Sequence, residues 1–350
     1  MRDPRWENRY GLPAVYASFH RGTSPWPRLL QALLVLGLAD RVLASPPSAE
    51  PIPWQDAAPV AVPFLQLPME SAAPLGSGQL VLGLRTIYSN SIARVASPQL
   101  MVDYQLETAQ PSLVLRYGVT DGLELHLELA AVTEQGGFLN PIIRGLESSL
   151  GTLNKLRRGP MTREPHFILV RPDGSGTRLT RSTAALGDAW IGAKGEILAG
   201  GPGPALSWRA AVKLPTGRFP FGSEVGELGA GLLLAQDLGP NHLWLAADLM
   251  VPDGPVSAAR LGTRPHPSFQ LALGRDLGRS TTVLLQGSVH GPALRYVHLS
   301  EIDGWTFYAL AGVRVAPTST FSAGLGVVEN LFITERGTDI AAVLDLTWRH

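Results

Sequence analysis

Leu123-Glu124-Leu125-His126-Leu127-Glu128-Leu129, the first part of the segment Leu123–Thr133, alternates leucine with a charged or polar residue. Because successive side chains of a β-strand point to opposite faces of the sheet, the leucines share one face and the polar residues share the other. The same alternation recurs in Gln79–Tyr88, Ala205–Pro215, His242–Met250, Trp305–Ala316 and Ile340–Trp348. One such segment is typical of any half-buried sheet, but the series predicts a transmembrane β-barrel whose apolar faces contact lipid.

The connections between these segments alternate in length. Short connections such as Asp121-Gly122 and Leu238–Asn241 are followed by longer ones such as Glu134–Ala185 and Val251–Pro267. Outer-membrane barrels have short periplasmic turns and longer outer loops. We therefore predict an all-β, antiparallel up-and-down transmembrane β-barrel of about 12 strands over residues 77–350, with both termini at the short-turn end.

The strand count depends on whether Gln99–Val119 is one long strand. Its apolar residues occupy even positions before residue 110 and odd positions after it. A β-bulge near Gln110-Pro111 would keep all of them on the outer face, and we predict one there. If the segment is a hairpin instead, the count rises to about 14 strands.

The composition agrees with a membrane barrel and argues against nucleic-acid binding. Charged residues make up 17% of the 350 residues, below the roughly 25% that is usual in soluble proteins. The 29 basic and 29 acidic residues balance, so the charge gives no basic surface for nucleic acid. Cysteine is absent, which excludes disulfides and thiolate metal sites.

The N-terminal residues predict export. Leu29–Leu43 is the most apolar run, Arg21 and Arg28 precede it, and Val42-Leu43-Ala44 suits cleavage after Ala44. A membrane-spanning helix needs about 20 apolar residues, more than this run offers. We predict a signal peptide with a long n-region over residues 1–44, the alternative being an amphipathic soluble helix. The Pro-rich residues 45–76 are expected to form an extended, flexible lead segment before the barrel.

Four short motifs follow one another along the chain. They are Leu115–Leu125 (LRYGVTDGLEL), Gly136–Asn140 (GGFLN), Leu186-Gly187-Asp188 and Val212–Gly217 (VKLPTG). In this order they resemble an uncharacterised family of proteobacterial envelope proteins, the domain of unknown function 3187, over about residues 60–350. The resemblance implies an outer-membrane barrel and no established activity. The chain departs from the family at Asn140, where Asp is usual, and at Leu146-Glu147, where Phe-His is usual, so any role of that Asp or His is in doubt here.

Inward-facing charged and polar side chains are the first candidates for a functional site. If water fills the lumen, they set the selectivity for solutes; if they pair, they form a salt-bridged plug. Pairing is favoured slightly, because a barrel of about 12 strands is narrower than the 16–18-stranded porins. The candidates are Arg85, Arg116, Glu124, His126, Glu128, Lys194, Glu196, Arg209, Lys213 and Arg314, and Asp103 and Glu107 are assigned the same inward parity.

The longest loop, Glu134–Ala185, supplies the second set of candidates. Loops this long are usually functional or disordered, and this one contains a predicted helix at Pro141–Leu150 and a predicted hairpin over Arg163–Arg181. The loop either folds over or into the barrel mouth as a gate, or is a disordered surface loop. The gate candidates are Gly136, Gly137, Phe138, Leu139, Asn140 and Arg144.

The leading functional hypothesis is a narrow channel or gated passage for a small solute in the outer membrane of a Gram-negative bacterium. A barrel that only anchors surface-binding loops is the alternative, and an outer-membrane hydrolase is disfavoured because no catalytic constellation or G-x-S-x-G motif occurs. We therefore expect no catalytic residue, metal or cofactor. The expected partners are outer-membrane lipid, a small solute, and the barrel assembly machinery, which would bind the C-terminal strand Ile340–Trp348.

Overall fold

The computed structural model describes residues 50–150, 155–158, 164–256, 260–295, 299–331 and 337–350. The predicted signal peptide, residues 1–44, lies outside them. No helix in the described ranges is long and apolar enough to cross a membrane.

In the described ranges, fifteen strands form one sheet, and twelve of them form a closed antiparallel barrel because the first strand pairs with the last. This confirms the predicted fold and the count of 12. The strands are β1 (Leu80–Ala96), β2 (Met101–Thr120), β3 (Leu123–Gln135), β4 (His166–Val170), β5 (Gly176–Leu179), β6 (Thr183–Leu186), β7 (Ala189–Leu198), β8 (Ala205–Leu214), β9 (Glu227–Leu238), β10 (Asn241–Pro252), β11 (His266–Asp276), β12 (Thr281–His290), β13 (Thr306–Val315), β14 (Phe321–Asn330) and β15 (Ile340–Arg349).

The remaining elements belong to the longer connections. Helix α1 (Leu139–Leu150) and a short 3-10 helix (Lys155–Arg158) follow β3, and helix α2 (Ser300–Asp303) lies between β12 and β13. Strands β4 and β5 pair as a hairpin, as predicted, and β4 also pairs with the first residues of β2. We call the rim with the short turns, the start of β1 and the end of β15 the short-turn end. The opposite rim is the long-loop end.

The predicted alternation holds along the barrel wall. Leu125 and Leu129 are 47% and 45% exposed on the outer face of β3, whereas Glu124 and Glu128 on its inner face are buried. Exposed leucines also cover the outer faces of β9, β10 and β11. Such a belt of long apolar side chains is the surface that a transmembrane barrel presents to lipid.

Strand β2 corrects one prediction. Its pairing with β1 runs from Tyr117 opposite Leu80 to Met101 opposite Ala96 without interruption. The strand is therefore single, as expected, but the bulge predicted near Gln110-Pro111 is wrong. Strand β1 continues through residues 89–96, beyond the predicted segment Gln79–Tyr88.

The unbroken register reverses the faces assigned to the first half of β2. Val102, Tyr104 and Leu106 point inward and are almost fully buried. Asp103 and Glu107 point outward, so their predicted inward position is wrong. Here the inner face is covered by protein, including Phe167 of β4 and Phe64, and apolar side chains face the side that excludes water.

The segment that precedes β1 lies inside the barrel. Residues 50–57 run from the short-turn end, a turn follows with Val62 N donating to Ala58 O over 2.9 Å, and residues 65–79 return to β1. Ile52, Trp54 and Met69 of this segment are at most 4% exposed and pack with inward side chains of the wall. We call residues 50–79 the plug. The prediction of a flexible lead segment is wrong for these residues, because the lumen encloses them.

Candidate functional site

Side chains of the barrel wall hold the plug by its backbone. Arg209 Nη1 donates to Pro68 O over 2.6 Å, Lys213 Nζ to Pro63 O over 2.9 Å, and Gln270 Nε2 to Leu67 O over 2.7 Å. Gln286 both accepts from Ile52 N (2.8 Å) and donates to Ile52 O (3.0 Å). Buried backbone groups need partners, and in the plug, which forms no strand, wall side chains supply many of them.

A chain of alternating charges begins at the short-turn end. The Arg349 guanidinium lies 2.7 Å from the Glu50 carboxylate of the plug, and Glu50 lies 3.4 Å from Arg116. Arg116 is in turn 3.3 Å from Glu124, its neighbour on the inner wall. Three of these four residues belong to the barrel wall, and the plug contributes only Glu50.

The same chain continues deeper into the lumen. Lys194 Nζ lies 3.3 Å from Glu124 and 3.0 Å from Glu70 of the plug, and Glu70 lies 3.1 Å from Arg209. Arg209 also contacts both oxygens of Asp248 at 2.8 Å. Buried charges are tolerated when they are paired and hydrogen-bonded. We call the eight residues the ion chain: Arg349, Glu50, Arg116, Glu124, Lys194, Glu70, Arg209 and Asp248.

The third plug carboxylate has neutral partners among the described contacts. Asp56 accepts hydrogen bonds from the Tyr308 hydroxyl (2.5 Å), from Thr338 N (3.0 Å) and from the Thr338 hydroxyl (2.8 Å). Nearby, Gln55 accepts from Arg85 over 2.9 Å, and Arg85 forms an ion pair with Glu128 of the wall. Of the three plug carboxylates, those of Glu50 and Glu70 thus form ion pairs with wall cations among the described residues.

Most of the predicted lumen residues face the lumen and are paired. Buried inward positions are occupied by Arg85, Arg116, Glu124, Glu128, Lys194, Arg209, Lys213 and Arg314. His126 also points inward and stacks on Trp190 at 4.2 Å. Glu196 is different, because it is exposed at the short-turn end of β7, next to a register shift between β7 and β8. Glu196 keeps the inward parity of β7, opposite Ser207, but it lies two residues from the end of the strand and is therefore exposed at the rim rather than enclosed in the lumen.

Two of the sequence motifs meet at the long-loop end. Lys213 Nζ lies 2.6 Å from Asp188 and 2.9 Å from Glu227. The Asp188 carboxylate also accepts from Gly217 N over 2.7 Å and from Ser223 N over 2.9 Å. The Leu-Gly-Asp and Lys-Leu-Pro-Thr-Gly motifs therefore fix the connection between β8 and β9 to the wall.

The predicted gate residues lie elsewhere. Leu139 N donates to Glu107 Oε1 over 2.7 Å, and a β-carbon on Gly137 would overlap the Glu107 carboxylate. Phe138, 63% exposed, stacks on Tyr88 with ring centroids 5.6 Å apart. Since Glu107 and Tyr88 are on the outer face, these residues contact the outside of the β1–β2 hairpin. The prediction that they fold over or into the barrel mouth is wrong, and half-buried Gly136 and exposed Arg144 flank the same contacts.

Helix α1 is tied to the barrel by a buried polar cluster. Asn140 Oδ1 accepts from Asn90 Nδ2 (3.0 Å) and from Arg157 Nη1 (2.7 Å), and Arg157 also pairs with Asp339. Burial raises the pKa of the Asp339 carboxyl, and the Arg157 guanidinium opposes this rise. Asn140 here accepts two hydrogen bonds, a role that the Asp usual in the family could also fill.

One group of side chains has the composition of a metal site. Ligand atoms of Glu70, Glu124 and His126 lie within 4.8 Å of one another. The Lys194 ammonium, however, contacts both carboxylates and so takes the place that a metal cation would occupy between them.

The sequence reasoning missed the plug residues of the site. A signal was present: residues 50–79 contain three carboxylates, Glu50, Asp56 and Glu70, and no Lys, Arg or His. A one-sided charge in a Pro-rich segment next to a barrel with inward cations points to an electrostatic partner inside that barrel.

The fold and the site define a class of protein: a 12-stranded antiparallel β-barrel with a lipid-facing apolar surface and a lumen filled by its own N-terminal segment. The chain belongs to the DUF3187 family, described as protein of unknown function, whose family model matches residues 48–350. The resemblance stated from the motifs is thereby confirmed.

A solved outer-membrane channel shares the fold. An outer-membrane channel from Pseudomonas putida F1 superposes with a TM-score of 0.54 at 14% identity, covering 80% of this chain and 98% of that chain. The NanC porin gives a TM-score of 0.45 at 8% identity, covering 76% and 98%. At these identities the likeness is one of fold alone. No curated protein matches the sequence.

Proposed function

We propose that this protein is a gated outer-membrane channel for a small solute and that the plug is its gate. The observation that carries the proposal is how the plug is attached. Its backbone is held by wall side chains such as Arg209, Lys213 and Gln286, while strand pairing begins at Leu80. Side-chain contacts of this kind can be broken without opening the barrel ladder.

The path of the plug also suits withdrawal. Glu50 contacts Arg349 at the short-turn end, and at the other end of the plug Gly78 N donates to Gly118 O over 2.8 Å. Both ends of the plug are therefore at the same rim, with its turn at the opposite side. A hairpin arranged in this way can leave through the short-turn end without threading a free end through the lumen.

The gate is tested by loosening the plug in the full-length chain. Glu50→Gln and Glu70→Gln together remove the two carboxylates that contact wall cations, with little change of side-chain volume. We expect this double variant to conduct in planar lipid bilayers with a higher open probability than the wild type, because charge-assisted hydrogen bonds are the stronger ones.

A disulfide lock supplies the control. A β-carbon on Gly324 would lie 3.2 Å from Ile52 Cγ1, so Ile52→Cys with Gly324→Cys places two thiols near bonding distance in a chain without other cysteines. In the double-glutamine background, oxidation should abolish the conductance and reductant should restore it, whereas each single cysteine variant should be indifferent. A loosened, folded variant without conductance, or conductance that the oxidised lock leaves unchanged, would contradict the gate.

A further inference from the structure

We infer that the solute is a small carboxylate anion and that Lys194 and Arg209 bind it at the position that Glu70 occupies. This inference rests on the proposed gated passage and names the chemistry of its solute. In this view Glu70 is a carboxylate of the plug that stands where the carboxylate of the solute passes.

The ion chain is balanced in charge only while the plug is in place. Four cations and four carboxylates alternate along it, and two of the carboxylates, Glu50 and Glu70, come from the plug. When the plug leaves, the four cations of the ion chain keep two of its carboxylates, Glu124 and Asp248, which leaves an excess of two positive charges within the chain. A partly desolvated wall with such an excess attracts anions and repels cations.

The donors around Glu70 are arranged as a carboxylate site. Glu70 Oε2 lies 3.0 Å from Lys194 Nζ and its Oε1 lies 3.1 Å from Arg209 Nη1, so each oxygen has a cationic donor of its own. Asp248 holds Arg209 through two further hydrogen bonds, which fixes the direction of the guanidinium. Two separated donors aimed at two oxygens are suited to a carboxylate.

Three cations of the ion chain cluster on one side of the lumen. Arg116, Lys194 and Arg209 lie on β2, β7 and β8, and β3 lies between β2 and β7. On the other side, Trp54 of the plug packs in an apolar cluster with Tyr308 and Leu310 of β13, and the inward Arg314 of that strand is paired with Asp345. Asp56, near that side, is held by hydroxyl and amide donors. A solute that replaces the plug would therefore meet an excess of cations along one wall and apolar surface with an internally paired charge along the other.

Ion selectivity tests the inference in the conducting Glu50→Gln, Glu70→Gln protein. With a KCl gradient across the bilayer, we expect the reversal potential to lie between zero and the equilibrium potential of chloride, which is the sign of anion selectivity. Adding Arg209→Gln or Lys194→Gln should move this potential toward zero, because each removes one cation from the wall. Arg94→Gln is the matched control, since Arg94 is a cation on the outer face with 53% of its side chain exposed, and it should leave the potential unchanged.

Chemical rescue tests the site without relying on conduction. Glu70→Gly removes the side chain and leaves Lys194 and Arg209 without their shared carboxylate, so the melting temperature should fall. Acetate should restore part of this loss in a concentration-dependent way, since a ligand that binds only the folded state stabilises it. Acetamide, and chloride at equal ionic strength, should restore less. The wild type should show no acetate-specific rise.

The outcomes separate the two proposals. Conductance with no preference for chloride, together with no acetate-specific rescue, would overturn the anion site and leave the gated passage standing. Absence of conductance in every loosened variant would refute the passage, and an acetate-specific rescue in the same protein would still support an anion site. If Glu70→Gly does not fold, the reversal potentials of the isosteric Glu70→Gln protein decide the question.

Discussion

The two halves of strand β2 direct their apolar side chains to opposite faces of the sheet. Between Pro111 and Thr120 the side chains of Leu113, Leu115, Tyr117 and Val119 point outward, with Leu113 and Tyr117 46% and 45% exposed. Between Met101 and Gln110 the side chains of Val102, Tyr104 and Leu106 point inward, with Tyr104 fully buried, although the register with β1 is unbroken. The alternation of the strand is the same in both halves, and what changes is the medium that covers each face.

The difference shows where along β2 the contact with lipid ends. Next to the short turns the outer face meets hydrocarbon, and the inner face meets the plug and the ion chain. In residues 101–110, toward the long-loop end, the outer face of the hairpin carries the Arg94–Asp103 ion pair at 3.0 Å and the contacts of α1, while the inner face packs on Phe64 and Phe167. The hairpin changes from a membrane wall to the edge of an ordinary hydrophobic core within one strand.

The largest effect that would test this comparison is expected at Tyr104. Tyr104→Ala should lower the free energy of unfolding in lipid vesicles by about 3–5 kcal/mol, because it leaves a cavity in a close-packed core. Tyr117→Ala on the same strand is the matched change at a lipid-facing position, where acyl chains can fill the vacated space, and should cost clearly less. Equal losses at both positions would mean that the first half of β2 is not a protein core.

A somewhat smaller effect is expected at Leu113. Leu113→Arg places a guanidinium on the outer face among lipid tails and should lower the unfolding free energy by about 2–4 kcal/mol if that position lies near the bilayer midplane. Arg94→Ala removes a guanidinium from the same face of β1 beyond the lipid and should change stability by less than about 1 kcal/mol. Denaturant titration in vesicles measures both, and a tolerated Leu113→Arg would move the lipid boundary.

The sequence predicts the faces of residues 111–120 correctly and those of residues 101–110 incorrectly. The alternation in Leu123–Thr133 identifies the correct faces because lipid and a polar lumen impose one rule along the whole segment. In residues 101–110 the same reasoning assigns the wrong faces, because a pattern of period two reports which residues share a face and not which side that face is on. The incorrect prediction of a bulge near Gln110-Pro111 follows from the assumption that lipid covers the outer face along the whole strand.

The site divides in a similar way. Inward cations such as Arg116, Lys194 and Arg209 could be predicted, because their parity follows from the leucines beside them. The one-sided charge of residues 50–79 indicates a partner inside the barrel, but which carboxylate meets which cation could not be predicted, because the plug has no period that relates its side chains to the wall. Only the full three-dimensional path of residues 50–79 brings these carboxylates to the cations. The same limit explains Asn140 and Arg157, whose shared contacts depend on the path of a long loop.

The smallest effect is expected at Phe138, which stacks on Tyr88 at the level where the apolar side chains of β2 change from one face to the other. Tyr88 is opposite Ala109 in the register, one residue from the change of faces. Phe138→Ala should lower the unfolding free energy by about 1 kcal/mol, the usual value of an aromatic pair beyond its buried area. Ile142→Ala, at an exposed position of helix α1, is the control and should cost less.

The lipid boundary is tested by repeating the measurement in vesicles of short-chain and long-chain lipid. If the Phe138→Ala loss is the same in both, the ring stack lies above the hydrocarbon, since the apolar belt below it would absorb the change in thickness. A loss that grows with chain length would instead place Phe138 within the lipid and shift the boundary toward the long-loop end.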